Sequence, residues 1–284
     1  MVVEQQTARR RAGWRLVKIC FLLTHRVPDV PSPVLREVYA QLARRGHVVE
    51  GWIPEDRLLR ADTLEPDADL YILKSHTEHA LSLAAVLHDR GAHLLNPYPA
   101  SLSAQDKITA ARRLHAAGVP TPPTWITADL QSAVPLLGDG PLIVKPNRGH
   151  RGEHVHLVRT AAELTNLPAL PAPVVVQRFV PGPREDLKVY VAGEQVFAVR
   201  KPFAPHSFTR PGRQVPVTTE VADVAGQVRA AFGMDLFGVD VIESPDGPVV
   251  VDVNYFPGYK GVRGAATAIA AVIAALAPAE AAAS

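Results

Sequence analysis

Short apolar runs alternate with amphipathic segments through the first third of the chain. Four runs have the apolar composition of buried strands: residues 16–23, 48–53, 69–73 and 92–96. The segments 33–45 and 78–90 between them place apolar side chains at helical spacing and end at a glycine. Alternating strands and helices are typical of a parallel sheet. The pattern predicts a small parallel α/β domain over residues 14–96, preceded by a disordered polar leader, residues 1–13.

The pattern changes after residue 97, where strand-like runs follow one another as hairpins and predict an α+β region over residues 97–284. One helix opens this region, with Ser103 as the predicted N-cap and Asp106 three residues later. Lys107 falls in its first turn, where the helix dipole disfavours a cation. A lysine in this unfavourable position is a mild indication of function.

The hairpin of residues 238–261 carries the most informative polar residues. Its two apolar runs flank a turn at residues 244–247. If Pro248, which has no N–H to donate, stays outside the ladder, the connection takes five residues and Asp240 lies opposite Asp252. Asn254 then follows on the same face. Facing carboxylates are destabilising without a cation between them, and Mg²⁺ prefers oxygen ligands. The alternative is a solvated face with scattered acids.

A glycine-containing loop, residues 147–152, lies between two further strand-like runs. The first run ends in Lys145, and the loop sequence is NRGHRG. The arrangement differs from a Walker motif, which joins a strand to a helix and ends in GK[ST]. The loop could instead fold its backbone N–H groups over phosphates, with Lys145 beneath. A lysine that merely extends from a strand edge to solvent is the alternative.

Composition excludes several other classes of protein. The 284 residues carry 30 Lys and Arg against 28 Asp and Glu, a net charge of +2 that gives no nucleic-acid signature. Basic residues do recur between Arg178 and Arg213, which points to a small anionic ligand. The single cysteine, Cys20, excludes an intrachain disulfide and favours a reducing compartment. No apolar run is long enough to span a membrane, so we expect a cytoplasmic protein without membrane or nucleic-acid partners.

Four segments, in this order, resemble the ATP-grasp superfamily over residues 97–264. They are NPYPASLSAQDKITAARRLHAAGVPTPPT, PLIVKPNRGHRGEHVHLV, VVVQRFVPGPREDLKVYVAGEQVFAVRK and LFGVDVIESPDGPVVVDVNYFPGYKGV. The resemblance implies a nucleotide held between two antiparallel sheets. The central lid subdomain would span about residues 120–180 and the C-terminal subdomain about residues 181–284, after the α/β domain.

The resemblance also implies cofactors and roles. ATP would be bound with one or two Mg²⁺ ions, for which Mn²⁺ could substitute. The expected nucleotide-binding residues are Lys107, Lys145, Gly149, His150, Gly152, the hinge Gln177, Arg178, Phe179 and Val180, and Asp186 at the ribose. The expected metal ligands are Asp240, Asp252 and Asn254. The expected catalytic or acceptor-binding residues are Lys188, Arg200 and Lys201, with Arg210, Lys260 and Arg263 as further candidates.

Three functions are compatible with this resemblance. The first is a carboxylate–amine ligase that forms an acyl phosphate and releases ADP and phosphate, similar to ribosomal-protein glutamate ligases and glutathione synthetase. The second is a kinase similar to the inositol trisphosphate kinases, suggested by DLKVYVAGEQVFAVRKP and VVDVNYFPGYKGV. The third is a non-catalytic nucleotide-binding module. Each would bind a small anionic acceptor or ligand, and a homodimer is compatible with all three.

Overall fold

The computed structural model describes residues 17–25, 32–149, 154–183, 185–202 and 211–277. The predicted leader lies outside these ranges, as do the predicted site residues His150, Gly152 and Arg210. The chain divides into two compact units. Unit 1 contains residues 1–98 and 264–284, and unit 2 contains residues 99–263.

Unit 1 is built on a four-stranded parallel sheet, which confirms the predicted α/β class. Its strands are β1 (Lys18–Leu22), β2 (Val48–Trp52), β3 (Leu70–Leu73) and β4 (Leu94–Leu95), in the order β2-β1-β3-β4. Every neighbouring pair is parallel. Strands β1 and β3 are buried along almost their whole length, as their unbroken apolar composition requires.

The helices of unit 1 are α1 (Pro33–Arg44), α2 (Glu78–Asp89) and the last helix of the chain, α7 (Ala265–Leu276). Helix α2 begins at Thr77, whose hydroxyl accepts a hydrogen bond from the amide of Ala80. Helix α7 belongs to this unit, although the predicted second domain extended to residue 284. Its contacts with α1 include a hydrogen bond from Gln41 Nε2 to Thr267 Oγ1 at 3.1 Å.

Three charged side chains form a cluster at the first residue of β1 in the parallel sheet. The Lys18 ammonium lies 2.8 Å from Asp67 Oδ2 and 3.1 Å from Glu50 Oε1. The hydrogen bond to Asp67 raises the pKa of Lys18 to about 12. Asp67 also accepts a hydrogen bond from the Tyr71 hydroxyl at 2.9 Å. These contacts satisfy a cation on a strand whose other residues are buried.

Unit 2 contains two antiparallel sheets and four α-helices in its described residues. The first sheet has the order β5-β8-β6-β7, and the second has the order β11-β10-β9-β12-β13. The strands of the first sheet are β5 (Thr124–Thr127), β6 (Leu142–Pro146), β7 (His156–Val158) and β8 (Val174–Arg178). Those of the second are β9 (Glu185–Ala192), β10 (Gln195–Pro202), β11 (Arg213–Val215), β12 (Leu236–Ser244) and β13 (Gly247–Tyr255). The helices are α3 (Tyr98–Gln105), α4 (Lys107–Ala116), α5 (Ala161–Thr165) and α6 (Thr219–Phe232), and a 3₁₀ segment covers Leu130–Asp139.

The two sheets of unit 2 have separate apolar cores. Leu142, Val144, Val158 and Val176 pack together with residues of the 3₁₀ segment and α5. In the second sheet, helix α6 contacts β9 and β13 and buries five side chains of one stripe: Val221, Val224, Ala225, Val228 and Phe232.

The prediction of one helix capped by Ser103 is wrong. The structure has two consecutive helices, α3 and α4, and the N-cap of α4 is Asp106. Its carboxylate accepts the amide hydrogen of Thr109 at 2.8 Å. Ser103 lies inside α3, where its hydroxyl donates to the Pro99 carbonyl. A serine and an aspartate three residues apart both suit an N-cap, and the break after Gln105 selects the second.

Candidate active site

The facing pair Asp240 and Asp252 is present, but not for the reason that the sequence suggested. The β12–β13 turn is tight, with Ser244 opposite Gly247, and Pro248 lies in the ladder opposite Glu243. The predicted five-residue connection is therefore wrong. Continued regularly, this register would place Asp240 opposite Val251 and turn Asp252 to the other face.

A β-bulge corrects the register. Val241 pairs with Val250 and Asp240 with Asp252, so Val251 is the additional residue. Because Val251 lies outside the regular pairing, its carbonyl is available to a partner from the other sheet. Lys145 Nζ donates to this oxygen at 3.0 Å. The bulge thus places one carboxylate and one lysine of the predicted site together.

The third predicted metal ligand lies on the same face of the hairpin. Asn254 is opposite Gly238, two residues along the ladder from the pair of Asp240 and Asp252. A side chain at Gly238 would collide with Pro257 and Tyr190, because a Cβ there would lie 2.9 Å and 3.1 Å from their nearest atoms. Glycine therefore permits the backbone after β13 to approach the sheet.

The donor set fits Mg²⁺, with two carboxylates and one amide oxygen on one face of adjacent strands. Among the described residues, no group of three or more His, Cys, Asp or Glu side chains is placed to hold a metal ion. The predicted set contains only two such residues. Its remaining ligands would be water and phosphate oxygens, which Mg²⁺ commonly retains.

Lysines from two other elements lie beside the strand that carries Asp252. Lys107, the first residue of α4, lies 3.7 Å from Asp252 Oδ2 and donates to the Gly149 carbonyl at 3.1 Å. Lys145 is 6% exposed. Its burial lowers its pKa, an effect that the Asp252 carboxylate opposes. Lys107, Lys145, Gln177, Val251 and Asp252 line one cavity.

Hydrogen bonds between Asp106 and Asn147, here called the brace, connect the start of α4 to the residues that follow β6. The sequence did not predict this contact. Asp106 Oδ2 accepts from Asn147 Nδ2 at 2.7 Å, and Asn147 Oδ1 accepts from the amide of Ile108 at 3.1 Å. Asn147 is buried and lies two residues beyond Lys145. Burial would raise the pKa of Asp106, but hydrogen bonds from Thr109 and Asn147 hold it below its ordinary value. In the sequence, the one indication of this contact is Asn147 itself, a polar residue between Lys145-Pro146 and the glycine loop.

Lys188 is fixed between two carboxylates. Its ammonium lies 2.7 Å from Asp186 Oδ2 and 2.7 Å from Asp240 Oδ1. Burial lowers the pKa of Lys188, but the two carboxylates outweigh this effect and raise it. Burial and the nearby Asp240 charge raise the pKa of Asp186 to about 7. Asp186 is therefore bound to the predicted catalytic lysine, and its role at the ribose stays a prediction.

The two neighbouring cations of β10 point in different directions. Lys201 pairs in register with Asp186, whereas Arg200 pairs with Leu187 and so belongs to the opposite face. The Arg200 guanidinium donates to Glu243 Oε1 at 2.6 Å. The structure brings Lys201 to the face that carries Lys188 and does not bring Arg200 there.

The predicted hinge is partly occupied by contacts within the protein. The amide of Arg178 donates to the Pro123 carbonyl and that of Phe179 to the Pro141 carbonyl, both at 3.0 Å. The Arg178 guanidinium donates to the Leu136 and Gly140 carbonyls. Adenine would therefore have to be read by other backbone groups of the hinge.

The remaining predicted residues have less specific surroundings. Gln177 is buried and donates to the Thr124 hydroxyl at 3.0 Å. Gly149 is exposed, and Val180 is half-buried. Arg263 is exposed, and its backbone amide donates to Gln214 Oε1.

Comparisons with known proteins identify a family, related sequences and related folds. The model of a family described as "ATP-grasp domain" matches residues 104–257. A "Probable alpha-L-glutamate ligase" of Xanthomonas oryzae pv. oryzae is 34% identical over 206 residues, which cover 67% of this chain and 70% of that protein. A relative with the same description from Stenotrophomonas maltophilia is 33% identical and is covered over 65% of its length.

Solved structures share the fold over most of the chain. A "RimK domain protein ATP-grasp" from Sphaerobacter thermophilus has a TM-score of 0.74 at 20% identity, covering 92% of this chain and 99% of its own. The structure described as D-cycloserine synthetase DcsG has a TM-score of 0.70 at 18% identity, with coverages of 92% and 100%. No helix in the described part of the chain is long and apolar enough to cross a membrane.

Proposed function

Because the chain belongs to the ATP-grasp family of ADP-forming ligases, we propose that it is a Mg-ATP-dependent carboxylate–amine ligase acting through an acyl phosphate. The observation that carries this proposal is the convergence of Lys107 and Lys145 on the strand that presents Asp252. Two cations and facing carboxylates are what a metal-bound triphosphate requires.

The proposed reaction has two steps. A carboxylate oxygen of the first substrate attacks the γ-phosphorus of ATP, the bond to the β–γ bridging oxygen breaks, and ADP leaves. An amine then attacks the acyl carbon, inorganic phosphate leaves, and the nitrogen loses a proton. Neither step needs a nucleophilic side chain, so catalysis depends on positioning and on neutralisation of charge.

Residues of this chain supply that positioning. Lys107 and Lys145 would hold the phosphates, and the loop that begins near Gly149 would cover them. Asp240, Asp252 and Asn254 would hold Mg²⁺, which neutralises phosphate charge and polarises the transferred group when bound. Lys188, fixed by two carboxylates, would lie beside the transferred group as a charge of constant position.

The names of the relatives suggest the second substrate. We propose L-glutamate as the first amine to test, because relatives 34% identical are described as alpha-L-glutamate ligases. The kinase alternative is not favoured, since these relatives are ligases. A cytoplasmic location rests on the single buried cysteine and stays a proposal.

ADP release tests the function directly. The purified protein is assayed with Mg-ATP against carboxylic acids and amines, singly and in pairs, with hydroxylamine added to trap an acyl phosphate. A ligase requires both partners and yields a hydroxamate. ADP release with a polyol phosphate alone would indicate a kinase, and nucleotide binding without turnover across the panel would indicate a non-catalytic module.

A further inference from the structure

We infer that the proline-rich segment of residues 119–124, here called the linker, is a positioning element that fixes the separation of the two sheets of unit 2. By fixing this separation, the linker aligns Lys145 of the first sheet with β13 of the second. The inference rests on the proposed function, in which Lys145 holds phosphate and Asp252 of β13 holds Mg²⁺. It adds residues that contact neither group and act through other residues.

The sequence of the linker, VPTPPT, makes its backbone stiff. Each of its first five residues is either a proline or the residue before one, so the backbone angles are restricted at every one of these positions. Residues 119–123 belong to neither a helix nor a strand, and β5 begins at Thr124. A segment of this composition is extended, because few other conformations are open to it.

Two backbone hydrogen bonds fasten the linker to different sheets. The Pro120 carbonyl accepts the amide hydrogen of Val250, in β13 of the second sheet, at 2.8 Å. The Pro123 carbonyl accepts that of Arg178, the last residue of β8 in the first sheet, at 3.0 Å. Three residues of extended chain span roughly 9 Å, which is comparable with the roughly 10 Å between facing sheets in proteins. The linker is therefore a spacer of defined length between the two sheets.

The anchor at Val250 lies next to the β-bulge. Val251 is the additional residue of this bulge, and its carbonyl accepts from Lys145 Nζ at 3.0 Å. Because the amide of Val250 is bound to Pro120, the linker restrains the backbone that presents both this carbonyl and the Asp252 carboxylate. Lys145 extends from the first sheet, so its position relative to Asp252 depends on the separation that the linker fixes.

A side-chain contact connects the linker to the first sheet a second time. The Thr124 hydroxyl accepts from Gln177 Nε2 at 3.0 Å and donates to the Pro122 carbonyl at 2.9 Å. Gln177 and Pro122 are both buried. One hydroxyl thus satisfies a buried amide and a carbonyl of the spacer.

The start of the linker is fixed to α4, the helix that carries Lys107. The amide of Val119 donates to the Leu114 carbonyl at 3.0 Å, and Val119 is buried. Thr121, which lies between the two sheet anchors, lines the same cavity as Lys107 and Lys145. The linker therefore contacts each element that contributes to this cavity.

The first test relaxes the spacer without removing an anchor. Pro120→Gly/Pro123→Gly keeps both accepting carbonyls and restores backbone freedom, and both prolines are exposed, so little packing is lost. We expect the affinity for a non-hydrolysable ATP analogue, measured by calorimetry with Mg²⁺, to fall roughly 4–30-fold. Pro171→Gly/Pro216→Gly, which replaces two exposed prolines outside the strands of the same unit, is the matched control. It should lower the melting temperature by a similar amount and leave the affinity unchanged.

The same substitutions in a Lys145→Met background show whether the linker acts through Lys145. The ammonium that depends on the sheet separation is absent there, so relaxing the linker should reduce the affinity further by less than about twofold. An effect independent of Lys145 would instead multiply the loss that Lys145→Met causes.

Thr124→Val and Thr124→Ser form a second test that retains every proline. Valine removes the hydroxyl at nearly constant volume, whereas serine keeps it. Thr124→Val should weaken binding of the ATP analogue roughly 3–10-fold, the value of one or two ordinary hydrogen bonds, and Thr124→Ser should restore most of it.

Two results would overturn the inference. An unchanged affinity in Pro120→Gly/Pro123→Gly, with a melting temperature lowered as in the control, would restrict the linker to stability. An equal loss of affinity with and without Lys145 would show that the linker acts elsewhere. If the doubly substituted protein does not fold, an affinity of Thr124→Val equal to that of the unaltered protein would also overturn the inference. Failure of the unaltered protein to bind the ATP analogue would instead refute the proposed function, so the two failures are distinguishable.

Discussion

The brace between Asp106 and Asn147 can be tested by exchanging its two side chains. In the native pair, the Asp106 carboxylate accepts from the amide of Thr109 at 2.8 Å and from Asn147 Nδ2 at 2.7 Å. Asn147 Oδ1 accepts from the amide of Ile108 at 3.1 Å. Asp106→Asn keeps an N-cap of similar quality but sets two amide donors against each other. Asn147→Asp sets two carboxylates against each other.

Each single substitution should lower the free energy of unfolding by about 1–3 kcal/mol, the cost of leaving a buried polar group without its partner. The doubly exchanged protein restores all three hydrogen bonds, and only the bond between the two side chains is reversed in direction. The amide at position 106 then donates to the carboxylate at position 147, while the backbone amides of Thr109 and Ile108 keep their acceptors. The double variant should therefore be more stable than either single variant, with a coupling energy larger than either single loss.

Urea titration of the four proteins gives this coupling energy directly. ATP-analogue affinity, measured in parallel, should follow the same pattern, since Lys107 is the residue after Asp106 and the glycine loop continues to Gly149, two residues after Asn147. Additive losses in the double variant would refute the reasoning. Asp106→Ala, which removes the cap as well, should be less stable than Asp106→Asn by about 1 kcal/mol.

Three further predictions follow from individual contacts. Asp252→Asn should reduce ADP release by a factor on the order of 10²–10³ while leaving the melting temperature nearly unchanged, and a normal rate would remove the basis of the site. Lys145→Met should weaken the ATP analogue roughly 10–100-fold, the value of a charged hydrogen bond of about 1.5–3 kcal/mol, as measured by calorimetry. Burial tends to raise the pKa of Asp67, but Lys18 and Tyr71 hold it below its ordinary value. Its contribution to stability is therefore present above the unfolded pKa of about 3.9 and is lost as the pH falls through the lower folded value. Asp67→Asn should cost less than about 1 kcal/mol at pH 7, because the pair is partly exposed, and progressively less as the pH falls below about 3.9, as read from urea titrations across this range.

The local pattern of apolar residues was sufficient to predict a strand or helix whose structure depends mainly on its own segment. The apolar runs at β1 and β3 and the amphipathic spacing of α1 and α2 were recognisable, because burial imposes those periodicities on the sequence. The cap of α4 was assigned wrongly because Ser103 and Asp106 are both suitable caps. Only the break between α3 and α4 distinguishes them, and it is determined by packing.

The pattern of apolar and polar residues could not predict contacts between residues that are distant in the sequence. The facing of Asp240 and Asp252 was predicted from a five-residue connection, whereas the structure reaches it through a tight turn and a bulge at Val251. No local composition marks a bulge of this kind, since Val251 is one of three consecutive valines. Asn147 and Asp106 are 41 residues apart, so their hydrogen bond exists only in the folded chain.

Contacts within the protein compensate much of the charge at this site. Lys145 donates to Val251, Lys107 approaches Asp252, and Lys188 bridges Asp186 and Asp240, so protein oxygens occupy the positions near these cations. In the proposed complex, Mg-ATP would exchange these contacts for phosphate oxygens, and only the difference would contribute to affinity.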